Sequence, residues 1–248
     1  MEMEVAVILV EPEYPINLGS IARVMKNFGV DELILVNPKA RPEDELARKF
    51  AVHAVDILEN AKITKSLDEA LGMVNFAVGT SGVGGKDYIP ERTPITPEEF
   101  ARRIFLTGGK VGIVFGRESR GLDNDELEKL DFTVTIPTSG AYPIMNLSHA
   151  VAVILYEVYK QRIKTEEVER PKPAGRLERE VFIQQWRELM NVLNTPKDPY
   201  RKKYTEIMMR RVLGRAFIYE KEIYAIIGPL RRAVRSLKKC KEKGCLYD

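Results

Sequence analysis

Residues 133–159 read TVTIPTSGAYPIMNLSHAVAVILYEVY, and within this one span the chain turns from strand to polar loop to apolar helix. Val134 and Ile136 alternate with Thr133 and Thr135, the pattern of a half-buried strand, and Pro137 removes a backbone donor and ends the pairing. From Thr138 to Pro143 the residues are mostly small, polar or glycine, which leaves backbone N–H and C=O groups outside any ladder and free to meet a ligand. Asn146 is a good N-cap. After it Ala150, Val151, Val153, Ile154, Leu155 and Tyr156 are apolar on nearly every side, so a buried helix is expected. A loop able to read a small molecule is thus expected between two core elements.

Upstream, strand and helix patterns alternate. Glu4 to Val10 reads as a buried strand ending at the turn signal Glu11-Pro12. Asn17 is a candidate cap for a helix in which Ile21, Val24, Met25 and Phe28 fall at i, i+3, i+4 and i+7, with Gly29 as the stop. Further strands are expected at Glu32–Val36, Val74–Val78 and Val111–Phe115, with helices at Glu43–Val52 and Leu67–Leu71. Such alternation predicts an α/β fold, a mostly parallel sheet covered by helices on both faces, with ligands gathered outside the carboxyl ends of the strands.

Three loops then stand out. Gly79 to Asp87, GTSGVGGKD, superficially suggests a phosphate-binding P-loop. The spacing fails, because Thr80 stands where the first glycine belongs and Asp87 replaces the magnesium-holding hydroxyl. A glycine turn that lets backbone approach a ligand remains. The second loop, Gly116-Arg117-Glu118-Ser119-Arg120-Gly121-Leu122, precedes a short helix capped at Asp123 or Asn124; it is either a solvated turn or a site for a ribose-phosphate backbone. The third is the loop quoted first. Arg23 points away from its helix's apolar stripe, as a solvated arginine does, one turn beyond the loop that follows the first strand.

Asn17-Leu18-Gly19-Ser20-Ile21-Ala22-Arg23, then Ile113 through Leu122, then Ile136-Pro137-Thr138 through Met145-Asn146-Leu147-Ser148-His149-Ala150 occur in this order. Together they resemble the SPOUT-superfamily RNA 2′-O-methyltransferases of the TrmH group, and within it the tRNA ribose methyltransferases acting in the anticodon loop. The resemblance implies a deep trefoil knot in the last third of the catalytic domain and a homodimer with Arg23 at or near the subunit boundary. It places S-adenosylmethionine against Thr80, Ser81, Gly82, Gly116, Ile136, Pro143, Ile144, Met145 and Asn146, with no metal. Arg23, Asn17, Glu118 and Ser148 become the catalytic candidates. A guanidinium with a pKa above about 12 is a poor base, so Arg23 is expected to orient and stabilise, with an RNA phosphate or water taking the proton. His149, in the first turn of a buried helix, is expected to be a satisfied structural residue.

The 248 residues carry a net charge of +3, unevenly divided. Residues 1–159 hold 16 basic and 24 acidic residues, a net −8; residues 160–248 hold 23 and 12, a net +11. A basic excess confined to the last third points to a polyanion held there. Pro171 to Gly175 reads as a linker. The expected organisation is a catalytic domain over 1–164, a linker over 165–175 and a small all-α, basic, RNA-binding extension over 176–248. In the extension two apolar stripes, Phe182, Trp186, Leu189, Met190, Leu193 and Ile223, Ile226, Ile227, Leu230, Val234, Leu237, suggest a small core or dimer contact, the second interrupted by Gly228-Pro229. Arg201-Lys202-Lys203, Arg210-Arg211, Arg231-Arg232 and Lys238-Lys239 decorate them with the clustered cations that phosphate binding needs. Cys240 and Cys245 are too few for a tetrahedral zinc site; a disulfide or nothing is expected. Two cysteines, no leader pattern and no apolar run near the roughly 20 residues of a membrane span suggest a soluble cytoplasmic protein. Ribosomal RNA as substrate, or a non-catalytic RNA-binding protein that has kept the fold, are the alternatives.

Overall fold

The computed structural model describes residues 3–82, 94–105, 109–163 and 172–243. Seven strands form one sheet: β1 (Met3–Val10), β2 (Glu32–Val36), β3 (Lys62–Thr64), β4 (Phe76–Thr80), β5 (Pro94–Ile95), β6 (Gly109–Phe115) and β7 (Phe132–Val134). They lie in the order β3-β2-β1-β6-β4-β7-β5, and every pairing is parallel. Parallel neighbours require crossovers. These are α1 (Pro15–Asn27), α2 (Glu45–Ala51), α3 (Val55–Glu59), α4 (Leu67–Leu71), α5 (Pro97–Ile104) and α6 (Asn124–Glu128), with α7 (Leu147–Arg162) after β7.

The two-residue period of the strands divides the core. Val7, Leu9, Leu33, Leu35, Val78, Ile113 and Phe115 face one layer with Leu18, Ile21 and Met25 of α1, Phe100 and Ile104 of α5, and Val151, Ile154 and Leu155 of α7. Ala6, Ile8, Ile34, Ala77 and Val114 face the other with Leu67 and Leu71 of α4 and Leu127 of α6. The expected α/β sheet covered on both faces is therefore observed, and β2 and α4 fall where the patterns put them.

Several local expectations are corrected. Residues 133–134 are not half-buried: Thr133 and Val134 are both inside, because β7 sits between β4 and β5. The strand expected at Val74–Val78 is β4, two residues later; the Asn75 N–H instead bonds the Lys110 carbonyl at 2.8 Å. Asn17 does not cap α1. Tyr14 occupies that position, with Pro15 opening the helix where a missing N–H does no harm. The helix expected over 43–52 is the shorter α2, Glu45–Ala51, followed by a single 3-10 turn at Val52–Ala54 and then α3. Helix α7 buries a seam, Leu147, Val151, Ile154, Leu155 and Val158, while Tyr156 is 49% exposed.

Beyond residue 171 come α8 (Arg176–Val192), α9 (Pro199–Ala216) and α10 (Glu220–Glu242), the last running through Pro229 rather than breaking there. Phe182, Ile183, Leu213, Ile218, Ile223 and Ile227 form their shared core. They also reach the sheet. The buried Arg179 guanidinium pairs with Asp131 at 2.5 Å, lies 4.2 Å over the Phe76 ring and donates to the Asn75 carbonyl. Phe217, held in the left-handed region at φ 48°, packs its ring 5.8 Å from Phe76 and 5.6 Å from Phe132. Of the proline-rich stretch, Ala174 is fully buried and donates its N–H to the Ile218 carbonyl at 2.9 Å. Cys240 is exposed, and Cys245 lies outside the described residues, as do Val83 to Asp87 of the glycine loop.

Candidate active site

At the carboxyl edge of β4, β6 and β7 lies a cleft of about 360 Å³. Thr80, Ser81 and Gly82 line it from the end of β4, Gly116 through Leu122 from the end of β6, Ile136 and Thr138 from beyond β7, and Pro143, Ile144 and Met145 from the approach to α7. Eight of the nine residues placed on a cofactor by the resemblance line this one cleft; Asn146 stands beside it, on an adjoining hollow.

Its walls are tied to one another by short bonds. The Ser81 N–H donates to the Val134 carbonyl at 3.0 Å, and the Thr135 hydroxyl to the Ser81 carbonyl at 2.8 Å, which fastens the loops after β4 and β7 to each other. Two glycines allow this closeness. A Cβ on Gly82 would lie 2.7 Å from Ile144 Cδ1, and one on Gly116 would lie 2.1 Å from the Gly121 carbonyl carbon. The 116–122 loop closes on itself through Arg117 N–H to Gly121 O, 3.2 Å, and Gly121 N–H to Arg117 O, 2.8 Å.

Arg117 corrects the reading of that loop as a backbone-phosphate site. Its side chain is buried and saturated: Nε donates to Glu11 at 2.9 Å, and both terminal nitrogens to Glu126 at 2.9 Å. Hydrogen bonds donated to Glu126 and Glu11 raise its pKa further, and the contact with Glu11 lowers that of Glu11. Arg117 is thus a brace joining the ends of β1 and β6 to α6, and Arg120, exposed, is the loop's outward cation. Glu126 was visible in the sequence as the third residue after Asp123, where it accepts the Asp123 N–H at 2.8 Å. Glu11, a distant carboxylate, gave no such signal.

Four predicted residues form one hydrogen-bonded chain. Ser148 Oγ–H and N–H donate to Asn146 Oδ1 at 2.7 and 2.9 Å; Asn146 Nδ2 donates to Asn17 Oδ1 at 3.1 Å; Asn17 Nδ2 donates to Glu118 Oε1 at 3.0 Å. Glu118 also accepts the Glu13 N–H at 2.9 Å, while the Glu13 carboxylate accepts the Ser119 N–H at 3.0 Å. Because a carboxylate only accepts, Glu118 sets which way both asparagine amides face, and the chain leaves the Ser148 lone pairs as acceptors. Lys39 first, then Ser119, holds the Glu13 carboxyl at about 2, against an ordinary 4.5.

Arg23 does not join this group. It is exposed on α1, and among the described residues it makes no hydrogen bond or ion pair. His149 is exposed rather than buried, and with Tyr14, Tyr142, Asn17, Glu118 and Asn146 it lines the adjoining hollow. Tyr14 and Tyr142 are 57% and 82% exposed, aromatic surface beside the cleft that the sequence reading passed over.

A parallel sheet whose loops converge at a switch in strand order on a cleft of mixed polar and aliphatic lining, with glycines for close backbone approach, defines an α/β protein with a candidate ligand site at its carboxyl edge. Residues 4–156 match the model of the SpoU rRNA Methylase family, and the chain belongs to that family. It is similar to the tRNA (cytidine-2′-O-)-methyltransferase TrmJ of Methanocaldococcus jannaschii, with 44% identity over 232 residues, 93% of this chain and 100% of the relative. Among solved structures it resembles TrmJ from Z. mobilis ZM4, with 28% identity, a TM-score of 0.71, and coverage of 94% and 98% of the two chains. It also resembles the SpoU methyltransferase AviRb from Streptomyces viridochromogenes in complex with the cofactor AdoMet, with 26% identity, a TM-score of 0.53, and coverage of 66% and 63%.

Proposed function

We propose that this protein methylates a ribose 2′-OH of tRNA with S-adenosylmethionine as donor. The observation that carries the reading is the convergence of the loops after β4, β6 and β7 on one cleft, with the Glu118–Asn17–Asn146–Ser148 chain beside it. The lining fits the donor's chemistry. Leu122, Leu127, Ile136, Ile154 and Met145 offer aliphatic surface to an adenine ring, and the backbone at Gly82 and Gly116 allows close approach. When bound, S-adenosylmethionine supplies an electrophilic methyl group on a sulfonium.

What remains for the protein is alignment, the larger part of such a transfer. Glu118 and Asn17 hold the loop after β1 against the loop after β6, and Asn146 sets the start of α7 beside both. Ser148, whose own proton is donated to Asn146, is oriented to accept a hydrogen bond from the incoming ribose hydroxyl. Arg23 orients the RNA and offsets developing negative charge, and an RNA phosphate or water takes the proton. Because Arg23 stands apart from the chain of four, we assign it to the site of the other subunit in a homodimer built on the catalytic domain.

The same reading takes residues 1–164 as the catalytic domain and 176–248 as the tRNA-holding extension, working in the cytoplasm on the anticodon loop. A trefoil knot is supported by the path of the chain: β7 lies outside β4, yet α7 returns to pack against both α1 and α5. No described helix is long and apolar enough to cross a membrane. The test is mass spectrometry of nucleosides from tRNA and from ribosomal RNA incubated with the protein and S-adenosylmethionine. A 2′-O-methylated nucleoside gained by tRNA supports the reading, and one gained only by ribosomal RNA replaces the substrate.

A further inference from the structure

The cation clusters of the last third differ in what they already hold. Arg210 is bound to Glu180, Lys203 to Glu128 at 2.9 Å, and Arg211 is buried. Their positive charge is largely spent inside the fold. Helix α10 is different. Its segment 231–243, RRAVRSLKKCKEK, has seven basic residues and one acidic one. The helix's buried positions are Ile223, Ile227 and Val234, with Leu230 packed against the same core and Lys238 paired with Glu188 at 2.8 Å, and every residue from Lys238 to Lys243 is exposed.

Four of these cations share a face. With about 100° of turn per residue, Arg231, Arg232, Arg235 and Lys239 fall within about 100° of arc, on a face that flanks the buried seam. All four are exposed, and their side chains make no hydrogen bond or ion pair among the described residues. Arg231, Arg235 and Lys239 follow at i, i+4 and i+8, a row of like charges about 6 Å apart along the axis. Like charges at that spacing repel and destabilise an isolated helix, so a row of this kind is relieved by a polyanion laid along it. Arginine, with a weakly hydrated planar fork, suits phosphate.

We propose that this face of α10 grips the sugar-phosphate backbone of the RNA substrate. The proposal rests on the tRNA reading above and deepens it: it says which part of the basic third makes the contact. The α9 clusters are assigned to holding α8, α9 and α6 together.

The test compares the full-length protein with R231Q/R235Q/K239Q and R231E/R235E/K239E, and with R41E/K49E/K65E, which makes the same net charge change as the second triple on exposed cations elsewhere. Binding to unfractionated tRNA is followed by fluorescence anisotropy over a salt series, together with methylation kinetics and circular dichroism. Losing three phosphate contacts should flatten the log–log salt slope by about 2 and weaken binding at least about tenfold. KM for tRNA rises, kcat at saturating tRNA stays, and R41E/K49E/K65E keeps the wild-type slope. Wild-type slope and affinity in both α10 variants overturn the proposal while leaving the tRNA reading intact. Failure of the wild-type protein to bind tRNA overturns both. Unchanged tRNA binding with lost binding to phosphatidylserine vesicles assigns the face to a lipid surface instead.

Discussion

Asn146 Nδ2 donates to Asn17 Oδ1 at 3.1 Å, joining residues 129 positions apart at the point where α7 begins beside the first turn of α1. This one bond closes the chain between Glu118, the only fixed acceptor in it, and Ser148. Replacing Asn146 with Ala removes both that link and the cap on the Ser148 N–H. A lost cap costs about 1 kcal/mol, which a domain of this size registers as a melting shift of roughly 2–4 °C. The methylation rate should fall far more than that loss of fold explains, and a rate that falls only in proportion to the unfolded fraction would make Asn146 a cap and nothing more.

Asn17→Asp sets a carboxylate against Glu118 in place of an amide donor. The like charge raises the new carboxyl's pKa. A raised acid is stabilising while protonated, so the variant should approach the parent's stability in acid and fall behind it as pH rises through the raised value. Melting curves across that range check the sign. A stability difference that does not change with pH would mean the two side chains are not in contact.

Arg117→Met strands Glu11 and Glu126 in a largely buried corner. Removing one partner of such a cluster costs on the order of 3–5 kcal/mol, and Arg117→Lys recovers little because a point charge cannot serve both carboxylates as the guanidinium fork does. Both variants should lower the melting temperature and the affinity for S-adenosylmethionine together, by thermal shift and calorimetry. Full affinity in Arg117→Met would show that the 116–122 loop holds its shape without the brace.

The Glu13 carboxylate, at about 2 rather than 4.5, contributes stability that is complete above pH 4.5 and disappears as pH falls towards 2. Glu13→Gln should therefore be less stable than the parent at neutral pH and match it near pH 2. Chemical denaturation at a series of pH values measures the gap; a gap that stays constant down to pH 2 would remove Lys39 and Ser119 as its cause.

What the sequence made legible follows from where the signals are local. Strand β2 and helix α4 carry their own periodicity and turn residues, and Asn146 sits where its cap bond is two residues away. Strands β3 and β5 have three and two residues, too few to show alternation, and they are held by neighbours from elsewhere in the chain. The start of α1 was misplaced because a capping asparagine was preferred over Pro15, when Asn17 had been taken by Glu118. The same blindness to long-range partners hid the role of Arg117, which looked like an exposed turn residue and bonds Glu11 across 106 positions. It also hid Phe217, whose left-handed turn carries it into the sheet's core.

Arg23→Ala tests the central claim most directly, because Arg23 is exposed, outside the hydrogen-bonded chain, and not part of the cleft lining. Single-turnover methylation of tRNA and calorimetric binding of S-adenosylmethionine are measured on the same preparation. The expected result is loss of methylation with cofactor affinity and melting temperature unchanged. Methylation at the parent's rate, or loss of cofactor binding and fold in step with activity, would contradict the assignment of this cleft and this arginine to ribose methylation.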